Sequence, residues 1–181
     1  MFRTVPLAAA AVLLAGCAGM HGPHGAGHPH HSGPMGAAML QSTTGNTATG
    51  RVMFHAVDGG VYVHAMVQGL KPGQAHGFHI HEKGDCSSGD GMSTGGHFNP
   101  TGKPHGPQDA DHHAGDLPAL MADAQGRADV KFEVKGLAIG SGATDIVGKG
   151  LIVHALPDDY KTQPTGNSGA RIACAVIERR R

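Results

Sequence analysis

The sequence contains no tryptophan, two tyrosines and five phenylalanines, and bulky helix formers such as glutamate, with three copies, are scarce, whereas 30 glycines and 11 prolines supply turn chemistry. Short runs containing Val, Ile and Phe, separated by Gly, Asp or Asn, favour β structure over helix. An excess of charge of one sign is also missing. Fourteen basic residues balance fourteen acidic ones, so nothing suggests a nucleic-acid groove or a polyanionic partner. At 181 residues, 39% of them hydrophobic, the chain is long enough for one domain with a core and too short to expect two. Nor is there an apolar run that spans a bilayer with comfort. The run over residues 5–15 follows a single basic residue, Arg3, which is the layout of a secretory signal. What is abundant is histidine, with 15 copies.

The apolar run ends in Leu14-Ala15-Gly16-Cys17, which resembles the bacterial lipobox. That resemblance implies a signal peptide over residues 1–16 and lipidation of Cys17 as the first mature residue. Bacterial lipoproteins normally carry three acyl chains, and stable anchoring needs more than one. Ala18, in place of an aspartate, implies sorting to the outer membrane, so the expectation is a membrane-anchored periplasmic protein. Residues 17–36 then carry His21, His24, His28, His30 and His31 among Gly and Pro. This segment cannot bury a core and is expected to be a flexible tether, either simply solvated or capturing metal for the domain at 37–181. Setting Cys17 aside leaves Cys86 and Cys174, an even pair in a chain expected to leave the cytoplasm. A bridge between them would be worth on the order of 4 to 5 kcal/mol in the chain-entropy model; two buried thiols are the alternative.

Strands are expected over residues 38–43, 51–57, 61–68, 76–82, 117–124, 128–135, 149–156 and 171–178, with turn signals such as Asp58-Gly59-Gly60 and Lys71-Pro72-Gly73 between them. This pattern predicts an eight-stranded antiparallel barrel or sandwich. Residues 83–116, 136–148 and 157–170 break the rhythm. Loops of that length in a compact domain are usually functional.

Within "GFHIHEKGDC", residues 77–86, strand alternation puts Phe78 and Ile80 on one face and His79 and His81 on the other. Two imidazoles on one face are close enough to converge on a metal ion. The long loop adds His97, His105, His112, His113 and Asp116, and His154 closes the apolar run "LIVHAL". Three imidazoles with a carboxylate suit zinc, and an imidazole-rich set suits Cu²⁺. The residues outside the tether can therefore equip two metal sites of different character.

At these motifs the chain resembles the bacterial copper,zinc superoxide dismutases. "GFHIHEKGDC", "GGHFNP", "KPHGP", "HAGDLP", "LIVHALPDD" and "GNSGARIACAVI" follow the family's order from about residue 50 onward. The resemblance implies a Greek-key barrel with long metal-binding loops. It implies copper on His79, His81, His97 and His154, and zinc on His97, His105, His113 and Asp116, with His97 bridging. It selects His113 over His112 and makes His76 structural. His55 and His64, in early strands away from any motif, read as surface or core residues. Asp158 matches a carboxylate that orients His79 and His105, Arg171 matches the anion-binding arginine at the copper channel, and Cys86 with Cys174 matches the family's disulfide. Lys149 and Lys161 are candidates for steering charge.

The reaction implied converts two superoxide anions and two protons to dioxygen and hydrogen peroxide by Cu(II)/Cu(I) cycling, with His97 and Arg171 taking part, and protects the cell envelope. The alternative is a non-catalytic periplasmic protein that binds or delivers copper and zinc. The motifs are compatible with a monomer or a homodimer.

Overall fold

A computed structural model describes Met1 and residues 33–181 of the chain. The expected signal peptide beyond Met1, Cys17 and all five histidines of the tether lie outside the described residues. The architecture below belongs to the unit formed by residues 31–181. Its strands are β1 (Met35–Ser42), β2 (Thr49–Val57), β3 (Gly60–Gln68), β4 (Ala75–His76), β5 (Phe78–His81), β6 (Leu120–Met121), β7 (Ala128–Lys135), β8 (Gly150–His154), β9 (Arg171–Val176) and β10 (Glu178–Arg180), with one 3-10 turn at Met92–Thr94.

The main sheet is antiparallel in the order β5-β8-β9-β1-β2-β3-β7, and β10 adds to β1. A second ladder pairs β4 with β6. β4 and β5 continue one another across Gly77, and β6 leads into β7 through a turn in which Asp123 N–H donates to Arg127 O at 2.8 Å. The sheet thus curls round from β7 towards β5 as a Greek-key barrel. The connections from β3 to β4 and from β7 to β8 join strands that are not neighbours in the sheet.

Alternation builds the core. Val61, Val63, Ala65 and Val67 of β3 point inward and are buried, while the residues between them are at least partly exposed. They meet Leu40, Phe54, Phe78, Ile80, Leu117, Leu120, Ile146, Leu151 and Ile177 in one cluster. The β2–β3 hairpin turns at Gly59, whose φ is 72°. Gly60 follows, where a Cβ would stand 2.2 Å from Val134 O. Only glycine serves both positions.

Several strand limits differ from expectation. β1 starts at Met35 and takes in Gly36, two residues that the sequence reading left to the tether, because they pair with His55 and Phe54 on one side and with Arg180 and Arg179 on the other. The strand expected over 117–124 shortens to β6. Pro118 has no N–H, Leu117 N–H goes to Phe78 O and Ala119 N–H to the Tyr160 hydroxyl, so no regular ladder continues. The strand expected over 171–178 divides at Ile177, whose backbone pairs with Gly148 and Lys149. The segments expected as loops, 83–116, 136–148 and 157–170, contain no strand.

Candidate metal centre

The site is built on β5, β8 and the loop over residues 83–116. In β5, Phe78 and Ile80 enter the core while His79 and His81 point the other way, yet all four residues are buried because the loop covers the second face. Backbone bonds hold that cover in place. Ile80 N–H donates to Gly115 O at 2.9 Å, and Ile80 O accepts from Phe98 N–H at 2.8 Å. His79 and His81 thereby form isolated bridges with Asp116 and His97. Gly115 allows the close approach, since a Cβ there would lie 2.2 Å from Ile80 O.

Two clusters result. His79, His81, His97 and His154 form one, and His97, His105, His113 and Asp116 the other; within each, the available donor atoms lie within 4.8 Å of one another. All seven residues are buried. Every residue expected as a ligand is therefore brought into a cluster. His112 lies outside both and donates through Nδ1 to Ala110 O. His76 is buried on the core side, its Nδ1 2.7 Å from His154 O, where it braces the backbone of a cluster residue. His64 pairs with Asp129 at 2.7 Å, far along the sheet.

Each ring in the first cluster is held by one nitrogen and aims the other inward. His79 Nε2 is 2.6 Å from Asp158 Oδ2, His81 Nδ1 is 2.9 Å from Gly95 O, and His154 Nδ1 is 3.2 Å from Gly169 O. The remaining nitrogens, His79 Nδ1, His81 Nε2, His97 Nε2 and His154 Nε2, are buried without a hydrogen-bond partner. An orphaned buried polar atom costs about 1–3 kcal/mol, so four converging ones fit an all-imidazole metal site such as Cu²⁺ takes. In the second cluster, His97 Nδ1 is 2.7 Å and His113 Nδ1 3.3 Å from Asp116 Oδ1, His105 Nδ1 is 3.0 Å from Asp116 Oδ2, and His97 and His113 Nδ1 atoms are 3.4 Å apart. Ligands at the edges of a tetrahedron around zinc stand about 3.3 Å apart, given bonds of about 2.0 Å. The donor set fits.

Asp158 ties the clusters together from behind, its Oδ1 accepting from His105 Nε2 at 2.9 Å while Oδ2 takes His79. Tyr160 N–H donates to Oδ1 at 2.7 Å, and its ring lies parallel to that of His105. Gly166 faces this junction, and a Cβ there would be 1.9 Å from Asp158 Oδ1 and 2.5 Å from His105 Nε2. Gln163 clasps the His105 backbone from both sides, accepting from its N–H and donating to its O, each at 2.8 Å.

The electrostatics of the two clusters diverge. Burial lowers His79 to about 4, with Asp158 only partly offsetting it. Burial and then His97 lower His81 to about 2, and burial lowers His154 to about 3. His105 moves the other way. Burial opposes its charge, but hydrogen bonds to Asp116 and Asp158 outweigh that and raise it to about 9. Both carboxylates, despite burial, are held below the usual range by the histidines that donate to them.

Arg171 opens β9 beside the first cluster. Its Nη1 donates to Gly91 O and Thr94 Oγ1, both at 2.8 Å, and Nη2 to Gly95 O at 2.7 Å. Three of its five N–H donors are thus engaged. No carboxylate among the described residues forms an ion pair with it. The loop that supplies these acceptors is tied to β9 by a disulfide between Cys86 and Cys174, Cα atoms 6.0 Å apart. Lys149 is a packing residue, its Nζ 4.8 Å over the Phe98 ring and 3.2 Å from Glu82 O; Lys161 is exposed. No role for Thr94, Gly95, Tyr160, Gln163 or Gly166 follows from the sequence. Beside local bonds such as Thr94 to Gly91 and Tyr160 N–H to Asp158, the contacts that matter for the site, from Thr94 and Gly95 to Arg171 and from Gln163 to His105, join positions far apart in the sequence.

A family model described as copper/zinc superoxide dismutase (SODC) matches residues 48–177. The chain is 43% identical over 125 residues to the superoxide dismutase-like protein YojM of Bacillus subtilis, covering 66% of this chain and 64% of that protein. It is 43% identical over 151 residues to superoxide dismutase [Cu-Zn] 2 of Brassica juncea, covering 78% of this chain and 95% of that one. Among solved structures, a SOD-like protein from Bacillus subtilis superposes with TM-score 0.71 at 38% identity, covering 77% of this chain and 96% of its own. The clock protein EA4 superposes with TM-score 0.74 at 36% identity, covering 84% and 98%.

Proposed function

The chain belongs to the copper/zinc superoxide dismutase family, and on that premise we propose that it dismutates superoxide, turning two superoxide anions and two protons into dioxygen and hydrogen peroxide. The observation that carries this reading is the placement of His97, whose Nε2 faces the all-histidine cluster while Nδ1 faces the cluster containing Asp116. Copper on His79, His81, His97 and His154 would supply one-electron redox chemistry, and zinc on His97, His105, His113 and Asp116, having none, a fixed positive charge.

The protein's own groups do the rest. Arg171 keeps two N–H donors for a small anion, so the guanidinium attracts and orients superoxide beside the first cluster. His97 Nε2 holds a proton in one half of the cycle and gives it to the departing peroxide in the other. Asp158 fixes the rings of His79 and His105, which spares them reorganisation in each turnover. Burial of all seven ligand residues keeps bulk water from the rings.

Metal analysis together with superoxide decay on the disulfide-intact protein tests the proposal. Copper, zinc and superoxide-dependent turnover are expected; both metals without turnover would leave the metal-binding or delivery reading in its place. We further infer secretion and anchoring through Cys17 in the periplasm, most simply in the outer membrane. The Cys86–Cys174 disulfide supports an oxidising compartment. Lipid labelling that disappears in Cys17→Ser checks the anchor.

A further inference from the structure

We propose that Thr94 is the positioning residue that sets the guanidinium of Arg171, and so tunes the affinity of the site for small anions. The inference rests on Arg171 being the anion-binding group.

Thr94 has no exposed surface and closes a triangle of hydrogen bonds. Its hydroxyl donates to Gly91 O at 2.7 Å; Arg171 Nη1 donates to that same carbonyl at 2.8 Å and to Thr94 Oγ1 at 2.8 Å. Because the hydroxyl proton is committed to Gly91 O, the Oγ1 lone pairs are turned towards Arg171 and cannot rotate away. The Thr94 backbone is held as well, its O accepting from Lys83 N–H at 3.0 Å and its N–H reaching Gly91 O at 3.3 Å. Its methyl is wedged against β8, where a Cβ on Gly150 would come within 2.8 Å of Thr94 Cγ2.

The next carbonyl along the chain explains why this placement matters. Gly95 O accepts from both Arg171 Nη2 at 2.7 Å and His81 Nδ1 at 2.9 Å. Fixing Nη1 with Thr94 while Nη2 rests on Gly95 therefore registers the guanidinium plane to a ring of the first cluster. Without the hydroxyl, Nη1 keeps only Gly91 O, and the guanidinium is held by two backbone carbonyls in place of three acceptors, so its plane is less tightly fixed. A serine preserves the oxygen; a valine preserves the shape and removes it.

The test compares Thr94→Val, Thr94→Ser and Arg171→Ala with the wild type, all loaded with copper and zinc. Azide affinity is read from the copper absorption spectrum and superoxide kinetics are run beside it. Thr94→Val is expected to bind azide about tenfold more weakly, as for loss of a hydrogen bond to a charged group, and to raise KM more than it lowers kcat. Thr94→Ser is expected to stay near wild type. In the metal-free protein, the Arg171 guanidinium protons should exchange with solvent faster in Thr94→Val than in the wild type. If Thr94→Val does not fold, Thr94→Ala removes the same hydroxyl with less bulk. The proposal is overturned if the valine or alanine variant keeps wild-type azide affinity and proton exchange while Arg171→Ala loses azide affinity, or if serine fails as badly as valine. A wild type that binds azide but does not turn over superoxide would sink the enzymatic reading and leave this comparison intact.

Discussion

The two clusters share His97 and are otherwise organised by opposite means. The all-histidine cluster takes three of its rings from strands β5 and β8, where the ladder and burial set both their direction and their charge. Its histidines His79, His81 and His154 are pushed down to about 4, 2 and 3, so they are neutral and ready to ligate at pH 7. The cluster with Asp116 draws entirely on the loop, and charge does there what strand geometry does in the other. His105 rises to about 9 between two carboxylates. One site is preset by the fold, and the other is assembled by attraction that a cation would inherit.

The largest way to break this comparison is His154→Ala. It should lower dismutation to background and remove copper while zinc stays, as read by metal analysis beside the activity assay. Equal loss of both metals would mean that the clusters are one unit. Asp158→Asn comes next, because it touches both. Weakening a carboxylate that orients ligand histidines costs about 10- to 100-fold in metal affinity, and competition with chelators should show both metals weakened, through His79 and His105 together.

Acid should then separate the clusters in the metal-free protein. For a histidine lowered from 6.5 to about 4, such as His79, the unfolded chain binds the proton first. Its penalty is absent above about pH 6.5 and grows as pH falls towards 4, on the order of 3 kcal/mol for this group. His105 has the reverse sign. Its contribution is complete below about pH 6.5 and is lost as pH rises through about 9. Denaturant midpoints of metal-free protein across pH 4–10 should fall at both ends, and replacing His105 by Gln should flatten only the alkaline limb. The smallest effect sharpens the contrast. Near pH 7.5, zinc uptake should release the proton that His105 holds, while the three strand-borne histidines have none to release on copper uptake; calorimetry in buffers of different ionisation enthalpy shows the difference.

The same division decides what could be read beforehand. Alternation alone put His79 and His81 opposite Phe78 and Ile80, and a histidine at the end of an apolar run pointed to His154, because period 2 is a local property. The loop residues His97, His105, His113 and Asp116 were placed by likeness to a family's motifs, since no periodicity relates positions brought together by Gly115 passing beneath Ile80. Thr94 and Gly166 lay beyond either route. Thr94 meets Arg171 across 77 positions, and Gly166 matters for the side chain it does not have. The strand expected over 117–124 failed for a related reason: Leu120 and Ala122 are buried as alternate residues of a strand's inner face, but Leu117 is buried out of that phase, and Pro118 and the Tyr160 hydroxyl divert the backbone bonds a ladder needs.

β5 ends the order of the main sheet, and its outer rim is closed by bonds from Phe98 to Ile80 and from Ile80 to Gly115 instead of by a regular neighbour. An uncovered sheet edge is a template for pairing with another chain. The loop that carries the second cluster therefore also works as a guard against self-association. Loosened from the Cys86–Cys174 tie, it would uncover Ile80 along that rim, so the attachment of the loop bears on solubility as well as on the shape of the site.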